Sequence, residues 1–367
     1  MSSADRVLQP TLGEVGREWG RIGCLGFGGP PTHIALLRRL CVVERGWLSA
    51  EEFEDAVAAC NLLPGPASTQ LSIFCAWRAR GRVGALAGGA AFIVPGLVVI
   101  LGLAALFLAS SPPRWVLGAG AGAGAAVAAV AVQAGLGLLG TSWERATARS
   151  RVRWLVYVIA SGIAAATIGT WVVLVLLGCG LLELAMAGVA SRGVSVLVPS
   201  PLLVAAMASG GFGALAWTAF KVGALSFGGG FVIVPLMQGD AVGGYHWMTG
   251  ARFLNAVALG QITPGPVTHT VAAPSFAFVL IGAPRFQRLR TNPRLRAFFD
   301  GAGPGAIGAI LGSAIPLARA LSEPWQYGVL AGAALALLVL RRGVVLTLLV
   351  AAAVGLGAAL AGAPLPH

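Results

Sequence analysis

Long apolar runs separated by short polar clusters dominate the sequence. The first three cover residues 83–109, 116–140 and 154–169, and later runs follow as far as residue 362. Roughly 20 apolar residues in a helix cross the hydrocarbon core of a bilayer, so these runs are near or above the length of one span. Hydrophobic residues make up 57% of the chain and charged residues 10%, with a mean hydropathy of +0.84. The pattern predicts an all-α, polytopic membrane protein.

The chain repeats itself at an offset of 200 residues. Residues 21–70 align with residues 221–270 without a gap, and 15 of these 50 positions are identical. A later match, residues 118–122 with 301–305, has an offset of 183, so the second copy is shorter by 200 − 183 = 17 residues. The repeat predicts two structural copies, residues 1–195 and 196–367, with the second shortened after Pro266.

Arginine clusters predict that the two copies are inserted in opposite orientations. Cytoplasmic loops of membrane proteins are enriched in Lys and Arg, so equivalent loops of inverted copies should differ in positive charge. The Arg counts reverse in three pairs of equivalent segments: three at 38–45 against none at 238–245, one at 110–114 against five at 285–296, and four at 145–153 against one at 319–325. Two inverted-topology repeats follow. The arginines before residue 22 would lie on the outer side if residues 11–40 simply crossed the membrane. A start along the interface is the alternative, and the side of the N-terminus stays open.

Two kinds of helix break recur in both copies. Phe-Gly-Gly begins at Phe27 and at Phe227, and Pro-Gly-Pro begins at Pro64 and at Pro264. Pro lacks the helical hydrogen-bond donor and Gly tolerates irregular backbone, so helices should break or re-enter at these points. Irregular backbone at membrane depth is tolerated inside protein or beside a water-filled cavity. The breaks therefore favour a pocket, although a purely structural kink is the alternative.

The breaks also predict an anion site. A helix that restarts after Pro-Gly-Pro directs free N–H groups and the positive end of its dipole toward a ligand, with hydroxyl groups in its first turn. Lys221 lies in an apolar run and aligns with Arg21; both could bind an oxyanion or reach toward lipid headgroups. The predicted substrate-binding residues are Arg21, Phe27, Gly28, Gly29, Pro64, Gly65, Pro66, Ser68, Thr69, Lys221, Phe227, Gly228, Gly229, Pro264, Gly265, Pro266 and Thr268.

Titratable groups for proton coupling are few. Asp55, His269 and Asp300 are candidates, and none stands out; His33 and His246 are interpreted as loop or interface residues. The five cysteines lack metal-site spacing, and no nucleotide loop or nucleophile motif occurs, so neither a metal, a cofactor nor an enzymatic activity is expected. The net charge of +12 comes from arginines clustered between apolar runs, which indicates membrane topology and not nucleic-acid binding.

These motifs resemble the chromate ion transporter family in its long two-domain form. The similarity rests on residues 23–30 (GCLGFGGP), 61–66 (NLLPGP), 221–230 (KVGALSFGGG) and 260–266 (GQITPGP). It implies a multi-pass protein of the bacterial inner membrane that exports chromate in exchange for protons, with membrane lipid around it. A sulfate or other small-anion permease and an uncoupled channel stay open as alternatives, and so does a homodimer. After its Pro-Gly-Pro the first copy has the end of a helix, a loop at residues 78–82 (RARGR) and the start of a span. The shortening after Pro266 predicts one continuous segment over residues 267–284 in place of that half-helix, loop and span.

Overall fold

The computed structural model describes residues 10–27, 30–62, 65–107, 112–146, 150–188, 211–225, 233–265, 275–276, 278–280 and 292–366. Regular structure within these ranges is helical throughout, which confirms the predicted all-α class. The first half contains α1 (Leu12–Leu25), α2 (Pro30–Arg38), α3 (Ala50–Leu62), α4 (Ala67–Phe107), α5 (Arg114–Arg145), α6 (Arg151–Thr167) and α7 (Val172–Met186). The second half contains α8 (Phe212–Leu225), α9 (Ile233–Gln238), α10 (Gly250–Ile262), α11 (Pro293–Arg319), α12 (Pro324–Ala334) and α13 (Val344–Leu360).

The beginning of each half has the same order of elements. Helices α1 and α3 recur 200 residues later as α8 and α10, and a π-helical turn separates the members of each pair, at Arg39–Glu44 and at Gly239–Gly244. Ser49 and Thr249 both cap the following helix, since each side-chain oxygen accepts the backbone N–H three residues further on. The sequence repeat therefore corresponds to repeated local structure.

Helix α4 is two helices joined at a sharp break. Arg80 has φ −146° and Gly81 has φ +64°, neither of which is helical. The break divides α4 into a half-helix, residues 67–79, and a long arm, residues 82–107. This is the half-helix, loop and span that the sequence predicts for the first copy.

Glycines allow the half-helix to pack closely against the long arm. A Cβ added to Gly84 would lie 2.5 Å from the carbonyl oxygen of Ala76, and one added to Gly88 would lie 2.5 Å from the Ala76 Cβ. Residues 65–76 are all buried. The half-helix is thus an interior element, enclosed by protein.

Two helical hairpins in the first half start and finish at the same end of the molecule. One is α1 with α2, and the other is α3 with the half-helix. Their ends are joined by the ion pairs Arg38–Glu54, Arg45–Glu18 and Arg78–Glu52. We call the end that carries Arg38, Arg45 and Arg78 the basic end.

The direction of α1 places the start of the described chain at the basic end as well. The long arm leaves the basic end at residue 82, and α1 runs alongside it, with Trp19 near Gly88 and Gly23 against the Phe92 carbonyl. Helix α1 therefore runs away from the basic end and finishes at Gly26. The segment from residue 11 to residue 40 turns back and does not cross to the opposite end, so the charges of α1 lie on the same side as Arg38.

Glycine-rich helices join the two halves. Helix α5 packs against α12 and α13, and α11 packs against α6 and α7. A Cβ on Gly122 would lie 2.2 Å from the carbonyl oxygen of Ala351, and one on Gly308 would lie 2.0 Å from that of Val158. The alternation of Gly and Ala after residue 118 thus allows these helices to pack closely.

Contacts at the helix ends fix which termini are neighbours. The Arg114 guanidinium, at the start of α5, donates to the carbonyl of Ala363 just beyond α13, at 3.2 Å. The Gln326 amide, at the start of α12, donates to the carbonyl of Ala121 in the early part of α5, at 3.1 Å. Only residues 320–323 separate α11 from α12. The end of α11 therefore lies near the start of α5.

Three of the described helices are long and apolar enough to cross a membrane: α4 (Ala67–Phe107) through its long arm, Arg114–Glu144 and Pro293–Arg319. Shorter apolar helices occur at Val172–Met186, Pro324–Val339 and Val344–Leu360. The continuous segment expected over residues 267–284 lies mostly outside the described residues. Its described part is helical at 275–276 and 278–280, and Phe276 packs against Gly89 of the long arm.

Candidate anion site

The breaks of the two halves meet inside the protein. The backbone N–H of Gly265, in the second Pro-Gly-Pro, donates to the carbonyl oxygen of Gly26, which ends α1, at 3.2 Å. Both glycines are buried. A turn of one copy is thus in direct contact with the Phe-Gly-Gly region of the other, as a site formed between the copies requires.

His33 connects the first Pro-Gly-Pro region, through Ser68, to the same Gly26 carbonyl. Its Nε2 lies 2.9 Å from the Gly26 carbonyl oxygen, and its Nδ1 lies 3.4 Å from the Ser68 hydroxyl. The ring is fully buried and packs edge-on against Phe92, with centroids 5.0 Å apart. The interpretation of His33 as a loop or interface residue is wrong, because it lies within α2 and faces the interior.

The first turn of the half-helix provides donors that an anion needs. Ser68 is 3% exposed and Thr69 is 0% exposed. The Thr69 hydroxyl oxygen has no hydrogen-bond partner within the described part of the chain, which is costly for a buried polar group. The first N–H groups of a helix also lack partners within it. This turn is therefore buried and positively polarised, which is the environment that an anion requires.

The glycines of the two Pro-Gly-Pro turns have unusual backbone conformations. Gly65 has φ +120° and Gly265 has φ +85°. Residues with side chains are strained at these angles, so glycine is required for conformation and not only for space. The central glycines of the two turns thus share a positive φ.

Lys221 does not face the site as an unpaired cation. Its ammonium lies 2.5 Å from a carboxylate oxygen of Asp240, and the Thr218 hydroxyl donates to the same oxygen at 3.2 Å. The two charged side chains are 16% and 8% exposed. Arg21, its equivalent, is exposed on α1. The expected pair of symmetric cations is therefore replaced by one internal ion pair and one surface arginine.

The other predicted residues are distributed as follows. Pro66 is buried beside Gly65, Pro264 is half-buried and Phe27 is 44% exposed. Of the proton-coupling candidates, Asp55 is half-buried on α3 and Asp300 is exposed on α11. The residues Gly28, Gly29, Pro64, Phe227, Gly228, Gly229, Pro266, Thr268 and His269 lie outside the described residues.

The sequence did not indicate two residues that the structure places in contact with predicted site residues: Asp240, which pairs with Lys221, and His33, which contacts Ser68. Asp240 lies 240 − 221 = 19 positions after Lys221, beyond the distance at which local pairing is considered. His33 closely follows the Phe-Gly-Gly break, and this position could have indicated that its side chain faces the predicted site. In both cases the partner lies on another element of the fold, which local spacing does not reveal.

Helical hairpins with buried breaks, together with long apolar helices, define a multi-pass integral membrane protein. The sequence profile of the family described as "Chromate transporter" matches residues 13–184, 213–273 and 267–357. The chain belongs to this family. The match is one segment in the first half and two in the second, divided near residue 270, where the sequence indicates the shortening.

Curated relatives agree with this family. A chromate transport protein of Cupriavidus metallidurans is 28% identical over 345 residues, which cover 84% of this chain and 83% of the relative. One of Pseudomonas aeruginosa is 30% identical over 342 residues, covering 83% and 80%. A probable chromate transport protein of Synechococcus elongatus is 28% identical over 357 residues, covering 87% and 88%. No solved structure matches the chain.

Proposed function

We propose that this protein is a secondary transporter that binds chromate between its two Pro-Gly-Pro turns and exports it across the bacterial inner membrane, coupled to protons. The observation that carries the proposal is the contact between Gly265 and Gly26, which brings the second turn to the network of His33 and Ser68. Two of the relatives are named chromate transport proteins, and a site of N–H and hydroxyl donors fits this anion.

Helix lengths support a position near the middle of the membrane. The half-helix has 13 residues and so extends about 20 Å from the basic end. A bilayer core is about 30 Å thick, so the first turn of the half-helix would lie inside the core, somewhat past its middle. Helix α10 also has 13 residues, and Gly265 follows shortly after its last turn. Discontinuous helices that meet at mid-depth are a common arrangement for anionic substrates.

The helix-end contacts support inverted copies, with residues 1–195 and 196–367 as the two units. Helices α5 and α11 carry equivalent glycine motifs, and the end of α11 lies near the start of α5. Equivalent helices then run in opposite directions, in agreement with the reversed arginine bias. Placing the basic end in the cytoplasm satisfies that bias for both halves.

Transport of radiolabelled chromate into everted inner-membrane vesicles tests this function. We expect saturable accumulation that depends on the proton motive force, because everted vesicles expose the cytoplasmic side and become positive inside when they are energised. Saturable uptake that sulfate competes equally well would instead favour the general small-anion permease. Flux without saturation or gradient dependence would favour an uncoupled channel and would overturn the proposal.

A further inference from the structure

We propose that His33 takes up a proton when the anion binds, so that chromate and a proton occupy the site together. This inference rests on the proposed anion site, and it adds that anion binding and proton binding favour each other. Joint occupancy differs from the exchange of anion against proton that the family resemblance implies: chromate with one proton carries a single negative charge, so the membrane potential, positive outside, would drive its export.

The hydrogen bonds define the resting state of His33. A carbonyl oxygen can only accept, so the Nε2 atom 2.9 Å from Gly26 must carry a hydrogen. In the neutral ring Nδ1 is then an acceptor, and the Ser68 hydroxyl, 3.4 Å away, donates to it. In this state the hydrogen of Ser68 is directed at the ring and is not available to a ligand.

A proton from water that binds to Nδ1 reverses this second hydrogen bond. Nδ1 becomes a donor, the Ser68 oxygen becomes the acceptor, and the hydroxyl hydrogen is released to point at an anion. The ring also gains a positive charge next to the first turn of the half-helix. No other bond changes, and the single proton stays on the imidazole until the anion leaves.

The surroundings of His33 make this proton depend on the anion. The ring contacts uncharged groups: the Gly26 carbonyl, the Ser68 hydroxyl and the Phe92 ring. The described charged side chains of α1, α2 and α4 are exposed, hydrogen-bonded or ion-paired: Glu14, Arg17, Glu18, Arg21, Arg38, Arg78, Arg80 and Arg82. The thiol of Cys75 is buried on the half-helix, and that of Cys24 is exposed. Burial thus disfavours the imidazolium until a dianion supplies the missing negative charge.

The second copy lacks an equivalent of this group. The position 200 residues after His33 is Ile233, which is buried and apolar. The arrangement of Gly26, His33 and Ser68 therefore occurs once at the meeting point of the two copies. One proton per anion is the expected stoichiometry at this group.

Calorimetric titration of the purified protein with chromate measures the proton directly. Titrations in two buffers of different ionisation enthalpy, at slightly alkaline pH where free chromate is the dianion, give the net protons taken up per anion bound. We compare wild type with His33→Gln, because the Gln amide can still donate to Gly26 but cannot take up a proton. The matched control is His246→Gln, which replaces an exposed loop histidine.

We expect wild type and His246→Gln to take up about one proton more per chromate than His33→Gln, whose affinity should fall several-fold. Equal proton uptake in His33→Gln and wild type, or proton release on binding by wild type, would overturn the inference. Absence of chromate binding by wild type would instead contradict the anion site itself. If His33→Gln does not fold, infrared difference spectra of wild type labelled with ¹⁵N-histidine decide the matter, and absence of an imidazolium signal on chromate addition refutes the proposal.

Discussion

Gly65 and Gly265 each occupy a backbone conformation that side chains resist, with φ of +120° and +85°. We expect Gly65→Val and Gly265→Val to lower chromate transport by about tenfold or more while the protein is still made, because each turn must shift to relieve strain of about 1–3 kcal/mol. Vesicle transport normalised to the amount of membrane-inserted protein measures the effect.

Gly46 provides the matched control for this prediction. It also has a positive φ, +60°, yet nothing lies within 4 Å of its Cβ position, and it is remote from the turns. Gly46→Val should therefore cost some stability and leave transport nearly intact. Equal losses of transport at all three positions would show that backbone strain, and not the Pro-Gly-Pro site, controls the activity.

The Lys221–Asp240 ion pair gives a second prediction at the scale of single residues. Removing one partner of a buried pair leaves an uncompensated charge, so Lys221→Met should lower the free energy of unfolding by about 3 kcal/mol. The double variant Lys221→Met with Asp240→Leu should recover most of that loss. Thermal unfolding of the purified protein in detergent provides the measurement.

The chromate affinity of the same two variants shows whether Lys221 binds the anion or only forms a structural ion pair. The sequence predicts an oxyanion-binding lysine, whereas the structure shows an ammonium compensated by a carboxylate. If the ion pair is structural, the double variant should bind chromate as wild type does. A stable double variant with strongly reduced affinity would restore Lys221 to the anion site.

At the scale of elements, the hairpin within α4 determines where the half-helix lies. Gly84 approaches the Ala76 carbonyl so closely that a Cβ has no room. Gly84→Val should push the half-helix away from the long arm, with an overpacking cost of about 2 kcal/mol and a loss of chromate binding. Gly102→Val, in the same long arm but with nothing within 4 Å, is the control and should be nearly neutral in both measurements. A neutral Gly84→Val would mean that the hairpin packs less closely than described.

The break in α4 was predictable, and its packing was not. The cluster of three arginines and a glycine at residues 78–82 indicated a loop between apolar segments, because such charges do not belong inside a span. Which glycines would meet Ala76 depends on how the two segments pair after the turn. That pairing is a tertiary property. Several glycines at the start of the long arm have similar Ala- and Gly-rich neighbours, so the sequence does not indicate which of them contacts Ala76.

For the whole molecule, inverted orientation makes a topological prediction. Ser150 precedes α6 and Ser322 precedes α12, its counterpart in the second half. Single cysteines at these positions, in a variant without the native cysteines, should react differently with a membrane-impermeant thiol reagent applied to intact spheroplasts. Ser322→Cys should be labelled and Ser150→Cys protected until the membrane is permeabilised. Labelling of both from outside would exclude inverted copies.

The sequence by itself determined the membrane class, the repeated local plan and the positions of the helix breaks, because these depend on composition, periodicity and the backbone chemistry of Gly and Pro. Only the tertiary structure decided which breaks meet and which polar groups pair. Gly265 reaches Gly26, His33 reaches Ser68, and Asp240 neutralises Lys221 across intervals of sequence that carry no pairing signal. Helix breaks change the direction of the chain by angles that local sequence does not specify, so the contacts beyond each break follow from the packing of the whole molecule.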